Sequence, residues 1–129
     1  MQLVYFWIEE YGILKEQGVN FNSGFYFEMK KDNNKYILER KKEKEKKIPN
    51  NFFGKNIENI SCIIGKNGSG KTTLFESIIL QKYTLGNNRI SRYLSIFEED
   101  NKLYIVIKKR ANYLLFKISL INFSCLLCL

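Results

Sequence analysis

The sequence predicts an α/β fold in which a mixed β-sheet packs on one main helix. Aromatic and β-branched runs recur over the first 40 residues, and an apolar run at 57–64 leads into a glycine-rich turn that is followed by apolar residues at helical spacing. The 129 residues are 45% hydrophobic, which suits one domain with its own core. We expect three parts of a single domain 1–129: a β-rich lobe at 1–56, a strand-loop-helix unit at 57–85, and a β-hairpin with an apolar C-terminal segment at 86–129.

The β-rich lobe should begin with a strand. Residues 1–13 contain the run Leu-Val-Tyr-Phe-Trp-Ile, which is typical of a strand covered on both faces. Residues 19–29 alternate apolar and polar side chains, Asp32-Asn33-Asn34 is a turn signal, and 35–39 reads as a further strand. Residues 19–40 therefore predict a hairpin, and we expect its aromatic side chains to pack in the core.

A charge run follows the hairpin. Residues 40–47 read R-K-K-E-K-E-K-K, and the chain as a whole carries a formal charge of +8. Mixed lysine and glutamate without apolar periodicity favours a solvated loop. Nucleic-acid binding by this basic lobe is the alternative, although Glu43 and Glu45 weaken the field that contacts to nucleic-acid phosphates need.

The most informative pattern is G-x4-G-K-[ST], which Gly65, Gly70, Lys71 and Thr72 satisfy. Its glycines allow turn conformations and a close approach of the main chain, so that successive N–H groups can point at phosphate oxygens. A helix that begins near Gly70 adds its positive N-terminal end. The pattern predicts a site for a nucleoside triphosphate, and the alternative is a tight strand-to-helix turn without a ligand.

Two side chains of the pattern have specific expected roles. The Lys71 ammonium is placed to reach the β- and γ-phosphates, and we regard it as the candidate catalytic residue. The Thr72 hydroxyl is placed to ligate Mg²⁺. ATP and Mg²⁺ are therefore the expected cofactors.

The third part of the chain should be another hairpin. Gly86-Asn87-Asn88 is a helix-stop signal, so the helix is expected to end near Leu85. Residues 91–97 and 103–107 predict paired strands joined by a turn at 98–101, and 113–120 predict one more strand. Glu98 and Glu99 also invite comparison with the acidic strand end of many ATPases, but the turn fits them better.

Cysteine and histidine usage narrows the chemistry. Cys62, Cys125 and Cys128 are odd in number, which favours reduced thiols and a cytoplasmic location over disulfides. The chain has no histidine, which excludes imidazole bases and histidine-ligated zinc. The N-terminus does not read as a secretory signal, and the apolar segment at 118–129 is short of the roughly 20 residues of a membrane span. We expect that segment to be an interrupted core strand.

Two stretches together resemble a known family. L-V-Y-F-W-I-E-E-Y at 3–11 and I-E-N-I-S-C-I-I-G-K-N-G-S-G-K-T-T-L-F-E at 57–76 are similar to the N-terminal part of AAA-type ATPases of the SMC, RecF and ABC-like branch, including the large bacterial ATPases associated with phage defence and DNA metabolism. The resemblance implies an incomplete P-loop nucleoside triphosphate hydrolase domain. It also implies the nucleotide-contacting set, which consists of Gly65, Lys66, Asn67, Gly68, Ser69, Gly70, Lys71, Thr72 and Thr73.

The resemblance also implies roles and omissions. Asn67 would lie near the γ-phosphate, the 66–71 main chain would wrap the β-phosphate, and Thr73 would contact the α-phosphate. Members of the branch continue through a glutamine loop, a serine-glycine signature and an acidic strand, whereas only 58 residues follow Lys71 here. We therefore expect ATP binding, with hydrolysis only if a partner subunit supplies the missing groups.

Overall fold

The computed structural model describes residues 1–21, 26–41, 52–57, 60–83, 90, 92–100, 102–109, 112–119 and 127–128. Within these residues the chain forms eight strands and one helix. In chain order they are β1 Gln2–Tyr11, β2 Leu14–Asn20, β3 Tyr26–Asp32, β4 Lys35–Lys41, α1 Lys71–Tyr83, β5 Arg92–Glu99, β6 Lys102–Lys109, β7 Asn112–Ser119 and β8 Leu127–Cys128.

The larger sheet has five strands in the order β2-β1-β5-β6-β7, and each neighbouring pair is antiparallel. Short turns explain this order. Gly12, with φ of +58°, lies in the turn that joins β1 to β2. Asp100, with φ of +49°, lies in the turn between β5 and β6. Because hairpin turns join strands antiparallel, the sheet grows outward from β1 and β5.

The smaller sheet has three antiparallel strands in the order β3-β4-β8. Its hairpin turns at Asn33 and Asn34, which have φ of +42° and +65°. Asparagine tolerates this left-handed region better than most residues, which is why the pair makes a two-residue turn. The predicted hairpin at 19–40 is therefore confirmed from Tyr26 onward, whereas 14–20 pairs with β1 instead.

The main core lies between the two sheets. Tyr5 and Trp7 on β1 project toward Phe27 and Tyr36, with ring centroids 5.8 Å apart for Tyr5 and Phe27 and 4.7 Å apart for Trp7 and Tyr36. These rings are almost completely buried, together with side chains of β5 and β6 such as Ile96. Fully burying an apolar side chain of this size stabilises a fold by about 1.5–3 kcal/mol, so each of these rings contributes substantially to the stability. Phe27 and Tyr36 therefore have the core role expected of the hairpin aromatics, whereas Tyr26 is 39% exposed and Phe25 lies outside the described residues.

The helix covers the opposite face of the larger sheet. Phe6 and Ile8 alternate with Tyr5 and Trp7 along β1, so they point away from the smaller sheet. They form a second buried cluster with Leu74 of α1. The architecture therefore has three layers: the helix, the five-stranded sheet and the three-stranded sheet.

This architecture contradicts the predicted α/β fold. Every strand pair among the described residues is antiparallel. Residues in strands far outnumber residues in helix, and α1, with 13 residues, is the one helix described. The expectation of a mixed sheet packed on one main helix, as in a P-loop nucleoside triphosphate hydrolase, is wrong. The physical reason is that hairpin turns pair most strands with their chain neighbours, and the apolar run expected to form the strand before the glycine-rich loop does not join the sheet.

That run is the predicted strand at 57–64. Its described residues are not in a strand, and Ile57, Ile60 and Ile64 are exposed, Ile64 to 89%. A hydrogen bond of 2.9 Å from the Ser61 hydroxyl to the Phe21 carbonyl holds it near the end of β2. The run is apolar, as a buried strand would be, but apolar composition alone does not supply a neighbouring strand.

The remaining expectations are mostly met where the chain is described. The hairpin of β5 and β6 and the strand β7 are confirmed. The helix is described as far as Tyr83, so its predicted end near Leu85 lies outside the described residues, as do the stop signal at 86–88, residues 42–47 of the charge run and Cys125. Of the apolar segment 118–129, β7 contains the first two residues and β8 pairs with β4 at Ile37 and Leu38.

Candidate nucleotide-binding site

The glycine-rich loop forms a turn directly before α1. Gly68 and Gly70 have φ of +78° and +89°, a region that side-chain-bearing residues rarely adopt. The Ser69 amide donates to the Lys66 carbonyl at 3.2 Å, and the Leu74 amide donates to the Gly70 carbonyl at 2.8 Å as the first turn of the helix closes. The predicted turn and helix start are therefore present.

Lys71 is the first residue of α1, and its side chain folds back over the loop. Its Nζ donates to the carbonyl oxygens of Gly65 at 2.6 Å and Lys66 at 2.7 Å. Two carbonyl dipoles thus hold the ammonium inside the curve of the loop. A phosphate oxygen entering that curve would meet a cation already in position, as charge-assisted recognition requires.

The rest of the loop faces solvent. Lys66, Asn67, Gly68 and Ser69 are exposed, and so is the Thr72 side chain on the first turn of α1. The first N–H groups of any α-helix lack partners within the helix and carry a partial positive charge. Exposed loop, helix start and lysine therefore converge in a region that an anion can reach.

The turn between β1 and β2 supports this loop. The sequence predicted the loop but not this contact. A Cβ atom on Gly70 would lie 3.0 Å from Leu14 Cδ2 and 3.1 Å from Ile13 Cδ1, and one on Gly12 would lie 3.0 Å from the Thr73 methyl. The loop therefore rests directly on Gly12, Ile13 and Leu14. A glycine such as Gly12 is a turn signal in a sequence, but no local signal indicates what a turn packs against.

Helix α1 is anchored by one narrow face. Leu74 and Ser77 are buried and Ile78 is partly buried, at the i, i+3, i+4 spacing of a single helix face. The Ser77 hydroxyl donates to the Leu74 carbonyl at 2.7 Å, which satisfies the buried hydroxyl. Phe75 and Ile79, which share the apolar pattern, are about half exposed.

The two candidate acids lie at the other end of β1. Gln2 is opposite Glu98 in the ladder, and the N-terminal ammonium lies 3.1 Å from Glu99 Oε1. The glycine-rich loop adjoins the turn after Tyr11, roughly 30 Å away along the strand at 3.3 Å per residue. Glu98 and Glu99 are the last two residues of β5, opposite Leu103 and Lys102 of β6, and the turn begins only at Asp100. The predicted turn is therefore present at Asp100 but does not include the two glutamates, which lie far from the glycine-rich loop.

The basic lobe is partly neutralised. Three lysines of β3 and β4 form ion pairs, namely Lys30 with Glu39 at 2.7 Å, Lys31 with Glu16 at 2.6 Å, and Lys41 with Glu28. The hydrogen bond from Lys41 holds the pKa of the Glu28 carboxyl below its usual range. These pairs reduce the field that this part of the lobe could offer to a polyanion.

A separate polar cluster joins the two sheets across an open cleft of about 390 Å³. The Tyr36 hydroxyl donates to Glu16 at 2.9 Å and lies 3.2 Å from Glu9 Oε1, and Arg92 pairs with Glu9 at 3.2 Å. Burial, followed by the hydrogen bond to Glu16, raises the pKa of Tyr36 to about 12. The cluster connects the layers and does not include residues 65–73.

The described residues contain neither a group of side chains suited to a metal site nor a helix suited to spanning a membrane. Among the described residues, no three His, Cys, Asp or Glu side chains are grouped as a metal site would require. Cys62 is a free, exposed thiol. In the described part of the chain, no helix has the length and apolar character needed to cross a membrane.

Comparisons with protein-family models, with curated proteins and with solved structures found no match to this chain.

Proposed function

We propose that this chain binds Mg²⁺-ATP through residues 65–73. One observation carries the proposal: the G-x4-G-K-T sequence lies on a turn that leads directly into a helix, with Lys71 Nζ held inside the turn by the Gly65 and Lys66 carbonyls. On binding, the ammonium would exchange these carbonyls for phosphate oxygens. Gly68 and Gly70 supply the left-handed turns that bring the main chain close to the phosphates.

The residues present could hold a magnesium ion only together with a bound nucleotide, which would supply most of its ligands. Thr72 offers one exposed hydroxyl, and the phosphates and water would complete the shell, since Mg²⁺ is usually held by few protein ligands. When bound, the ion neutralises phosphate charge. Lys66, Asn67, Ser69 and Thr73 would complete the contacts to the phosphates.

We further propose that the chain alone binds ATP without turning it over. Hydrolysis needs a carboxylate or amide group that orients the attacking water, and Glu98 and Glu99 lie at the far end of β1. A partner subunit would have to provide that group. The preference for reduced thiols supports a cytoplasmic location for such a complex.

The test is calorimetric titration with a non-hydrolysable ATP analogue and Mg²⁺. We expect Lys71→Ala to weaken binding at least about tenfold, because it removes the cation that faces the phosphates. Lys109→Ala, an exposed lysine on β6, removes the same charge elsewhere and should leave the affinity unchanged. No binding by the folded wild type would overturn the proposal.

Thr72 gives an independent check on the ion. Thr72→Ser keeps the hydroxyl and should keep the Mg²⁺ dependence of binding, whereas Thr72→Ala should reduce it. Salt-sensitive DNA binding that persists in Lys71→Ala would instead favour the alternative, a non-catalytic nucleic-acid-binding role of the basic lobe.

A further inference from the structure

Strand β7 is an exposed apolar edge of the larger sheet. It pairs with β6 on one side, and on the other side no strand of the described residues lies beside it. Leu114, Leu115 and Phe116 in its centre are 48%, 70% and 40% exposed. Consecutive apolar residues on an edge strand present both faces and the main chain to another strand, a feature that proteins usually blunt.

The ladder between β6 and β7 shows which cross-strand pairs this surface favours. Tyr104 is opposite Lys117, with Nζ 5.7 Å from the ring centroid. Lys108 is opposite Tyr113, with Nζ 5.8 Å from the ring centroid. Both are lysine-over-tyrosine contacts between directly opposed residues, an arrangement that stabilises neighbouring strands.

We propose that β7 pairs antiparallel with β7 of a second copy of this chain, about a two-fold axis at Leu115. In this register, Lys117 lies opposite Tyr113 of the partner subunit, and the reverse holds on the other side of the axis. Leu114 and Phe116 likewise lie opposite each other across the interface. The new ladder thus repeats the lysine-over-tyrosine pairs that already join β6 and β7.

Self-complementarity is the reason for choosing a second copy as the occupant. Tyr113, Leu115 and Lys117 project from one face of β7, with the apolar residue midway between the ring and the cation. A two-fold axis at that midpoint therefore opposes unlike groups and brings no two lysines together. An axis at Phe116 would place Lys117 opposite Leu115 and lose both ring contacts.

The interface should be weak but closed. Stable interfaces bury roughly 1,200 Å² or more, and a contact made by one strand with three partly exposed apolar side chains per copy is small by that measure. We expect a dissociation constant on the order of 10 μM. A two-fold pairing occupies the β7 edge of both copies. It therefore yields a closed dimer and not a fibre. The dimer does not depend on the proposed nucleotide site.

Sedimentation equilibrium of the full chain, without nucleotide, tests the dimer. Leu115→Lys places two cations opposite each other at the axis and should raise the dissociation constant at least about tenfold. Ile79→Lys adds the same charge at an exposed apolar position of α1, 54% exposed, and should leave association unchanged. Thermal unfolding confirms that both variants are folded.

Cross-linking tests the register. In Leu115→Cys the two introduced thiols face each other with Cβ atoms about 5 Å apart, so mild oxidation should give an intermolecular disulfide that peptide mapping locates. In Leu114→Cys the corresponding thiols are diagonal, about 7–8 Å apart, and should cross-link far less.

Four results would overturn the proposal. A wild type that stays monomeric at 100 times the expected constant, roughly 1 mM, would leave β7 to a different protein. Aggregates of unlimited size would rule out a closed pair. Equal effects of Leu115→Lys and Ile79→Lys on the dissociation constant would show that association does not depend on β7. A dimer that forms only with Mg²⁺-ATP and is lost in Lys71→Ala would place the contact at the nucleotide site.

Discussion

The conformation of the glycine-rich loop depends on individual glycines that are not equivalent. Gly68 and Gly70 both have positive φ, but only Gly70 lies against other side chains, those of Ile13 and Leu14. A side chain at Gly68 would project into open space. Substitution at Gly68 therefore measures backbone strain alone, whereas substitution at Gly70 also disturbs the support from the β1–β2 turn.

We predict that Gly70→Ala lowers the free energy of unfolding by about 2–3 kcal/mol and Gly68→Ala by about 1 kcal/mol. The excess at Gly70 comes from the 3.0 Å approach of a new Cβ to Leu14. Urea unfolding monitored by Trp7 fluorescence measures both values. Equal losses in the two variants would mean that the turn gives way freely and does not support the loop.

At the scale of elements, β2 is the strand that links the two sheets. Its Asn20 side chain accepts from the Phe27 amide at 2.8 Å and donates to the Phe27 carbonyl at 2.9 Å, as a main-chain peptide would in a ladder. At its other end, Glu16 accepts from Lys31 and Tyr36. Among the described residues, β2 therefore contacts the smaller sheet through side chains and has no main-chain ladder with it.

This connection predicts a pH dependence. The hydrogen bond from Lys31, followed by that from Tyr36, holds the pKa of Glu16 below its ordinary value of 4.5. A carboxyl with a depressed folded-state pKa stabilises the fold above its unfolded value and loses that contribution as the pH falls through the folded value. We expect Glu16→Gln to lose less thermal stability than the wild type between pH 6 and pH 3.

The control is Glu10→Gln, which removes an exposed carboxylate on β1 that pairs with Lys15 at 3.6 Å. Such surface pairs contribute little, so its pH profile of thermal unfolding should follow the wild type. A Glu16→Gln profile that also follows the wild type would show that the inter-sheet cluster does not sense acid.

For the whole molecule, the three layers predict unequal protection of the main chain. β1 is paired on both sides within the larger sheet and buried between α1 and the smaller sheet, whereas residues 60–64 have exposed apolar side chains and no ladder partner among the described residues. Amide hydrogen exchange should therefore be slowest in β1 and β5 and fast at 60–64. Protection at 60–64 equal to that of β1 would contradict the fold described here.

The sequence determined the local features of this protein: the glycine-lysine loop, the helix after it, and the hairpins whose turns are marked by asparagine and aspartate. These follow from φ restrictions, periodicity and turn chemistry, which act over a few residues. The dominance of antiparallel sheet, the exposure of 57–64 and the support of the loop by Gly12, Ile13 and Leu14 were decided only by the tertiary structure. Strand partners and packing neighbours are contacts between distant parts of the chain, and an apolar run looks the same in sequence whether or not another strand lies beside it.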